Sequence, residues 1–363
     1  MSFNFGQFPG YKKSSSVIID EVEIGNVCTT PAGLIHVEIQ NKYATKEVID
    51  KVISQEKPVT LAINYVTKKS YLILKKQGFT LRSELVRWYA LVGTKDEPWK
   101  FIDKKRAKKI RSNIRKAKNN VVIKREPFTI EQFKKWLTIY EKEVVNRIGG
   151  IRIFYCDIFL LGKKISDLEI ISCYKKSDNT YLGGCVVNPW GGFGDIEKEK
   201  KYTSFLLSAF SAEARKYALG YWLDELVMGI AEENKNKVYG HGADLNFWGT
   251  DISPGLLSRK SAPGMMPFPE GKIQAFKVID KKRALSVHGD YYFMELIDDT
   301  IIDHYFDAIK NDKHFSFSNI IKEPWKFPIE VEQATKKWRL HHAGKDDCKI
   351  QIPKGIEILE EGE

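Results

Sequence analysis

The 363 residues hold only five cysteines, and no two of them are spaced C-x-x-C. Cys28, Cys156, Cys173, Cys185 and Cys348 are scattered and odd in number, which argues against a disulfide framework or a cysteine-ligated zinc site. Long apolar runs are also missing. The longest, such as YLGGCVVNPWGGFG, contain glycine and proline and fall short of the ~20 apolar residues a membrane span needs. The first residues, MSFNFGQFPGYKK, lack the apolar stretch of a secretory signal. No G-x-S-x-G or Cys/His nucleophile pattern occurs. These absences lead us to expect a reduced, soluble, cytoplasmic protein. With 43% hydrophobic and 12% aromatic residues, it can build packed cores.

One further absence is local. Residues 104–125 contain eleven Lys/Arg and no Asp or Glu, so this segment equals the net charge of +11 carried by the entire chain. Ala107, Ile110, Ile114 and Ala117 recur in it at helical spacing, after a potential N-cap at Asp103. The pattern predicts a docked helix over 104–120 with a basic outer surface, rather than a loose arm. Lys104, Lys108, Arg111, Arg115 and Lys118 form a stripe, with Lys105, Lys109 and Lys116 beyond it. Clustered cations of this kind neutralise phosphates and release counterions. The helix has no Tyr or Phe, which favours backbone over base contacts. An anionic partner is therefore expected, either tRNA or the diphosphate of a nucleotide-linked acceptor.

The flanking segments alternate between strand and helix patterns. Strands are expected at 16–27, 33–40, 59–66 and 84–94, and helices at 46–55 and 68–79, the latter ending at Gly78. A helix at 128–145 and a hairpin at 168–176 and 180–191 follow. Residues 204–218 read as a helix with Leu207, Phe210, Ala214, Tyr217 and Ala218 inward, and 221–230 as a strand. A strand at 272–280, a helical segment at 296–310 and a frayed acidic tail complete the chain.

Three stretches taken in order resemble the FemABX aminoacyltransferases: YLILKKQGFTLRSELVRWYALV (71–92), KKIRSNIRKAKNNVVIKRE (108–126), and SAEARKYALGYWLDELVMGI (211–230) followed by GLLSRKSAPG (255–264). The resemblance spans about 200 residues. It implies an α/β fold of two GNAT-like domains, expected here at 1–145 and 146–290, with an accessory segment at 291–363. It also implies transfer of an amino acid from aminoacyl-tRNA onto an amine acceptor, such as a cell-wall precursor, a peptide or a small biosynthetic amine. Aminoacyl-tRNA is then a co-substrate, and no other cofactor is expected. In GLLSRKSAPG, Lys260 matches the family's motif lysine and takes the implied role of stabilising the oxyanion, while Arg259 stands where the family has Phe. The resemblance places the family's aspartate at Asp224, Glu225 or Leu226. Asp224 and Glu225 are therefore the candidate bases for the amine's proton, and Arg259 is a candidate phosphate contact.

Other features read as structural. Gly191, Gly192 and Gly194 lie about ten residues before the helix expected at 204–218, too early for a pyrophosphate turn, which disfavours acyl-CoA. His241 and Asp244 lack a third metal ligand at suitable spacing, and His341-His342 is expected at the surface. Two rivals remain. One is an acyl-CoA-dependent N-acyltransferase of the same fold, separated by an acetyl-CoA binding test. The other is a non-catalytic RNA-binding protein on a degenerate transferase fold, separated by whether Lys260 is necessary.

Overall fold

The computed structural model describes residues 12–29, 33–146, 168–189, 202–236, 238–245, 264–288, 290–310, 338–344 and 357–360. Lys260, Arg259 and the glycines of PWGGFG lie outside these residues.

The first half begins with β1 (Lys12–Ile19) and β2 (Val22–Thr29), an antiparallel hairpin. The single strand expected over 16–27 is therefore two. Asp20 and Glu21 both adopt positive φ and turn the chain between Ile19 and Val22. Aspartate at the first position tolerates the left-handed region, and the surrounding alternation hides the turn. Next come β3 (Ile35–Gln40), α1 (Lys46–Glu56), β4 (Thr60–Asn64), α2 (Lys68–Lys76) and β5 (Thr80–Leu91). Both helices start where the sequence supplies a hydroxyl cap: Thr45 accepts from the Val48 amide, and Thr67 forms a reciprocal capping box with Ser70. Gly78 closes the turn after α2 at φ +82, as its position there implied.

The second half contains α3 (Lys104–Asn120), β6 (Val121–Pro127), α4 (Ile130–Tyr140) continued by a π-helical turn to Asn146, and the hairpin β7 (Glu169–Lys175) and β8 (Tyr181–Asn188). Two expectations then exchange places. Residues Thr203–Phe210 form the strand β9, antiparallel to β8, and Leu219–Glu233 form the helix α5, reached through a 3-10 turn at Ala214–Tyr217. Apolar residues crowd both faces of a central strand, so TSFLLSAF mimics a helical stripe. In LGYWLDELVMGIA the helical signal lies in Leu219, Trp222, Leu223, Val227, Ile230 and Ala231, all buried on one face. Strand β10 (Val238–Leu245) follows α5, and β11 (Met266–Val278) completes the main sheet.

The eleven strands pair in the order β1-β2-β3-β4-β11-β5-β10-β9-β8-β7-β6. In each half an antiparallel meander leads through one helix into a parallel neighbour: β3 through α1 to β4, and β9 through α5 to β10. The last strands are exchanged. β5 pairs with β10 of the second half, β11 pairs with β4 of the first, and β5 and β11 join antiparallel at the centre. This is an α/β fold of two halves in one continuous sheet, which meet at the antiparallel pair β5 and β11.

The remaining described chain carries α6 (Lys281–His288), β12 (Asp290–Leu296), α7 (Asp299–Lys310), β13 (Trp338–Gly344) and β14 (Glu357–Glu360). β12, β13 and β14 form a separate sheet, so the tail expected to fray adds a parallel strand to β13. Phe293 of β12 meets Phe276 of β11 edge-on, 5.1 Å between centroids, which seats this sheet on the first half. His341 and His342 are buried, not superficial. His341 stacks on Phe293 and contacts Glu295, while His342 bonds Glu360. Adjacent residues of a strand face opposite ways, and here both faces are covered.

Close backbone approach makes one glycine testable. A Cβ on Gly184 of β8 falls 1.9 Å from the Ile171 carbonyl oxygen of β7. Gly184→Ala should therefore force the β7–β8 ladder apart and cost about 3 kcal/mol or more. Urea unfolding measures it, and an unchanged midpoint contradicts the packing described here.

Candidate functional site

Helix α3 is anchored from its first turn, where the Asp103 carboxylate accepts the Arg106 amide at 2.8 Å. Ala107, Ile110, Ile114 and Ala117 are all buried, in one core with Trp88, Trp99, Trp222 and Leu223. Burying the two isoleucines contributes roughly 2–3 kcal/mol each, enough to hold a helix whose outer charges repel one another. Lys104, Lys105, Lys108, Lys109, Arg111, Arg115, Lys116 and Lys118 are all exposed.

Packing of α3 against α5 divides these eight. Lys108, Arg111, Arg115 and Lys118 line a groove of about 430 Å³ together with Ile114 and Glu225. Lys104, Lys105, Lys109 and Lys116 do not line it. Among the described residues Glu225 is the one carboxylate lining the groove, accepting from Lys118 Nζ at 3.0 Å and from the Trp99 indole at 3.3 Å. Lys118 Nζ also lies 5.8 Å from the Trp222 ring. The groove is thus a cationic cleft with an apolar floor, suited to a phosphate-bearing chain.

Asp224, the adjacent candidate, faces the other way. On α5 it falls on the buried face with Met228 and Ala231, is 0% exposed, and lies with Oδ1 3.2 Å from His241 Nε2. Sequence reasoning coupled His241 to Asp244, whose side chain lies outside the described residues. The signal that finds the pair is the helix itself: once 219–233 is helical, a carboxylate stands inside an apolar arc and requires a partner. Among the described residues no three His, Cys, Asp or Glu side chains group as a metal site needs. Cys28, Cys173 and Cys185 are buried thiols that form no disulfide among the described residues, and burial pushes Cys173 up to about 12, away from nucleophilic use.

The two parallel ladders differ. In the first half β3 and β4 stay paired from His36↔Thr60 to Gln40↔Asn64. Glu38, Asn64, Gln274 and Arg82 fill that face with a buried hydrogen-bonded row. In the second half β9 and β10 pair only at Thr203↔Tyr239 and Ser204↔Gly240, then part although both strands continue. Ligands in α/β sheets bind at the carboxyl ends of parallel strands, and the parted ends of β9 and β10 form such a place.

A turn with part of the R-x-x-G-x-G spacing, alanine standing for the first glycine, precedes the central helix. Arg215-Lys216-Tyr217-Ala218-Leu219-Gly220 reads R-x-x-A-x-G, with Ala218 left-handed at φ 51 and ψ 40. The objection to acyl-CoA based on the glycines near 191 rested on a helix at 204–218 that is a strand. Arg215, however, is ion-paired with the buried Glu143 carboxylate.

Among the described residues no helix is long and apolar enough to cross a membrane. No family model and no curated protein matches the sequence. Solved structures similar to the chain include a FemX at 14% identity and TM-score 0.40, covering 76% of this chain and 90% of that one. An L-PGS from Bacillus licheniformis has 12% identity and TM-score 0.36, covering 76% and 86%. A tandem GNAT protein from the clavulanic acid biosynthesis pathway has 11% identity and TM-score 0.34, covering 72% and 80%. All three TM-scores are below 0.5, and the fold assignment rests on the strand order of the chain itself.

Proposed function

We propose that the protein is an aminoacyltransferase that moves an amino acid from aminoacyl-tRNA onto an amine acceptor. The observation that carries this reading is the groove between α3 and α5, where Lys108, Arg111, Arg115 and Lys118 converge next to the helix that connects the parted strands β9 and β10. An RNA 3′ end lying in the groove is neutralised along its backbone. Its ester reaches a cleft where an amine attacks directly, without a covalent enzyme intermediate. Lys260 is assigned to the carbonyl oxygen, Arg259 to a phosphate, and Glu225 to the groove wall. RNA retained through purification and then sequenced tests the partner: tRNA is expected, and a preparation free of RNA that also fails to bind added tRNA contradicts it.

A second reading has one observation in its favour, the R-K-Y-A-L-G turn before α5. An acyl-CoA pyrophosphate would need amides there unobstructed and a cation available. Here Ala218 brings a Cβ to the turn and Arg215 is paired with Glu143. We therefore expect acetyl-CoA to bind no tighter than the millimolar range, roughly −4 kcal/mol, by calorimetry. A saturable micromolar isotherm reverses the ranking of the two readings.

A further inference from the structure

A fully buried carboxylate on an apolar helix face is costly unless its charge is used or neutralised. Asp224 is such a group, and His241 meets it across 3.2 Å. The imidazole is held from two further directions. It lies nearly flat on Phe205, 4.2 Å between centroids at 20°, and Tyr239 approaches it edge-on at 6.2 Å. Phe205 and His241 are the first residues beyond the last paired rung of β9 and β10, where the strands separate. The side chain of His241 retains 7% exposure there, against 0% for Asp224.

The geometry points to His241 as the group that accepts the attacking amine's proton, with Asp224 as the positioning residue behind it. This rests on the acyl-transfer reading above. An ionised carboxylate can only accept, so its contact places the ring hydrogen on Nε2 and makes Nδ1 the basic nitrogen. The amine lone pair attacks the ester carbonyl carbon, forming the N–C bond and moving the carbonyl π pair onto oxygen. Nδ1 takes one proton from the amine nitrogen. When the intermediate collapses, the bond from carbon to the ribose oxygen breaks, and the same proton passes from Nδ1 to that oxygen. The products are an amide and RNA with a free hydroxyl, and no further reactant is needed. Asp224 is too deeply enclosed to meet a substrate itself, and Glu225 faces the groove, engaged by Lys118 and Trp99. The Asp224 carboxylate instead steadies the imidazolium formed during the step.

The assay follows label from a pool of tRNA charged with radioactive amino acids into alkali-stable product, with the small-molecule fraction of a cell extract supplying amines. Esters are lost in mild alkali and amides survive. His241→Gln keeps an amide donor near the place of Nε2, toward Asp224, but cannot shuttle a proton, so kcat should fall about 10²–10⁴-fold with KM for charged tRNA unchanged. His241→Ala should fall equally and recover in part with added imidazole, a response that a purely structural role does not give. Asp224→Asn should lower kcat at least about tenfold with no imidazole recovery, because the ring is present but wrongly held. Near wild-type turnover in His241→Gln overturns the proposal, as does a folded His241→Ala protein that imidazole leaves inactive. If the wild-type protein moves no label at all, the acyl-transfer reading falls first. If wild-type and His241→Ala proteins move it alike, only the assignment of His241 falls.

Discussion

Reversing Lys108, Arg111 and Arg115 to Glu should abolish measurable tRNA binding at moderate salt while leaving the fold intact. All three side chains are exposed on α3 and line the groove, and the helix is docked by other residues, Ala107, Ile110, Ile114 and Ala117. Each phosphate neutralised contributes about 0.7–0.9 to the slope of log K against log salt. Losing three such contacts weakens binding by at least about 10²-fold near 0.1 M salt and flattens the slope by about 2–3. Charge reversal adds repulsion beyond that. Removing the self-repulsion of the stripe should meanwhile leave the melting temperature equal or slightly higher. As a contrast, Lys104, Lys105 and Lys109 lie outside the groove, so their reversal should cost much less. Equal losses from the two triple variants would show a diffuse cationic surface with no directed groove.

Lys260→Ala is expected to lower kcat by about 10²–10³ while substrate affinity stays nearly intact. Negative charge develops on the carbonyl oxygen only as the amine attacks, so a cation placed there favours the transition state over bound substrate. Arg259→Ala should instead raise KM, through loss of a phosphate contact. Lys260→Arg should recover little, because a planar fork replaces a compact point charge. Lys260 and His241 divide the work in this scheme, one holding the oxygen and the other moving the proton. Their single variants should therefore be strongly non-additive when combined. Wild-type turnover in folded Lys260→Ala protein removes the oxyanion assignment.

Much of the fold was legible because local chemistry and global position agreed. The basic helix was readable to the residue: Asp103 caps it, four apolar residues dock it, and the change to β6 follows Asn120. Gly78 marked the end of α2 in the same way. The failures lie where a segment is buried on several sides. β9 is central, between β8 and β10, so its solvent-facing alternation is lost and spacing alone cannot tell strand from helix. That error displaced the central helix by about fifteen residues, hid the turn before α5, and put Asp224 and Glu225 on a strand. A strand would also turn the two to opposite sides, but it gives no reason for Asp224 to meet His241. The exchange of β5 and β11 between halves was not legible either, because long-range pairing leaves no local mark on either strand.

The aminoacyl ester is the central claim, and the direct measurement is the fate of the amino acid on charged tRNA. The protein is incubated with tRNA labelled in its aminoacyl groups and with a mixture of small amines from a cell extract. Alkali-stable label is then counted, with and without prior ribonuclease treatment of the tRNA. Transfer of label into amide that depends on the protein and disappears after ribonuclease is the result predicted here. Label that stays on the tRNA, together with acetylation of the same amines from acetyl-CoA, contradicts it.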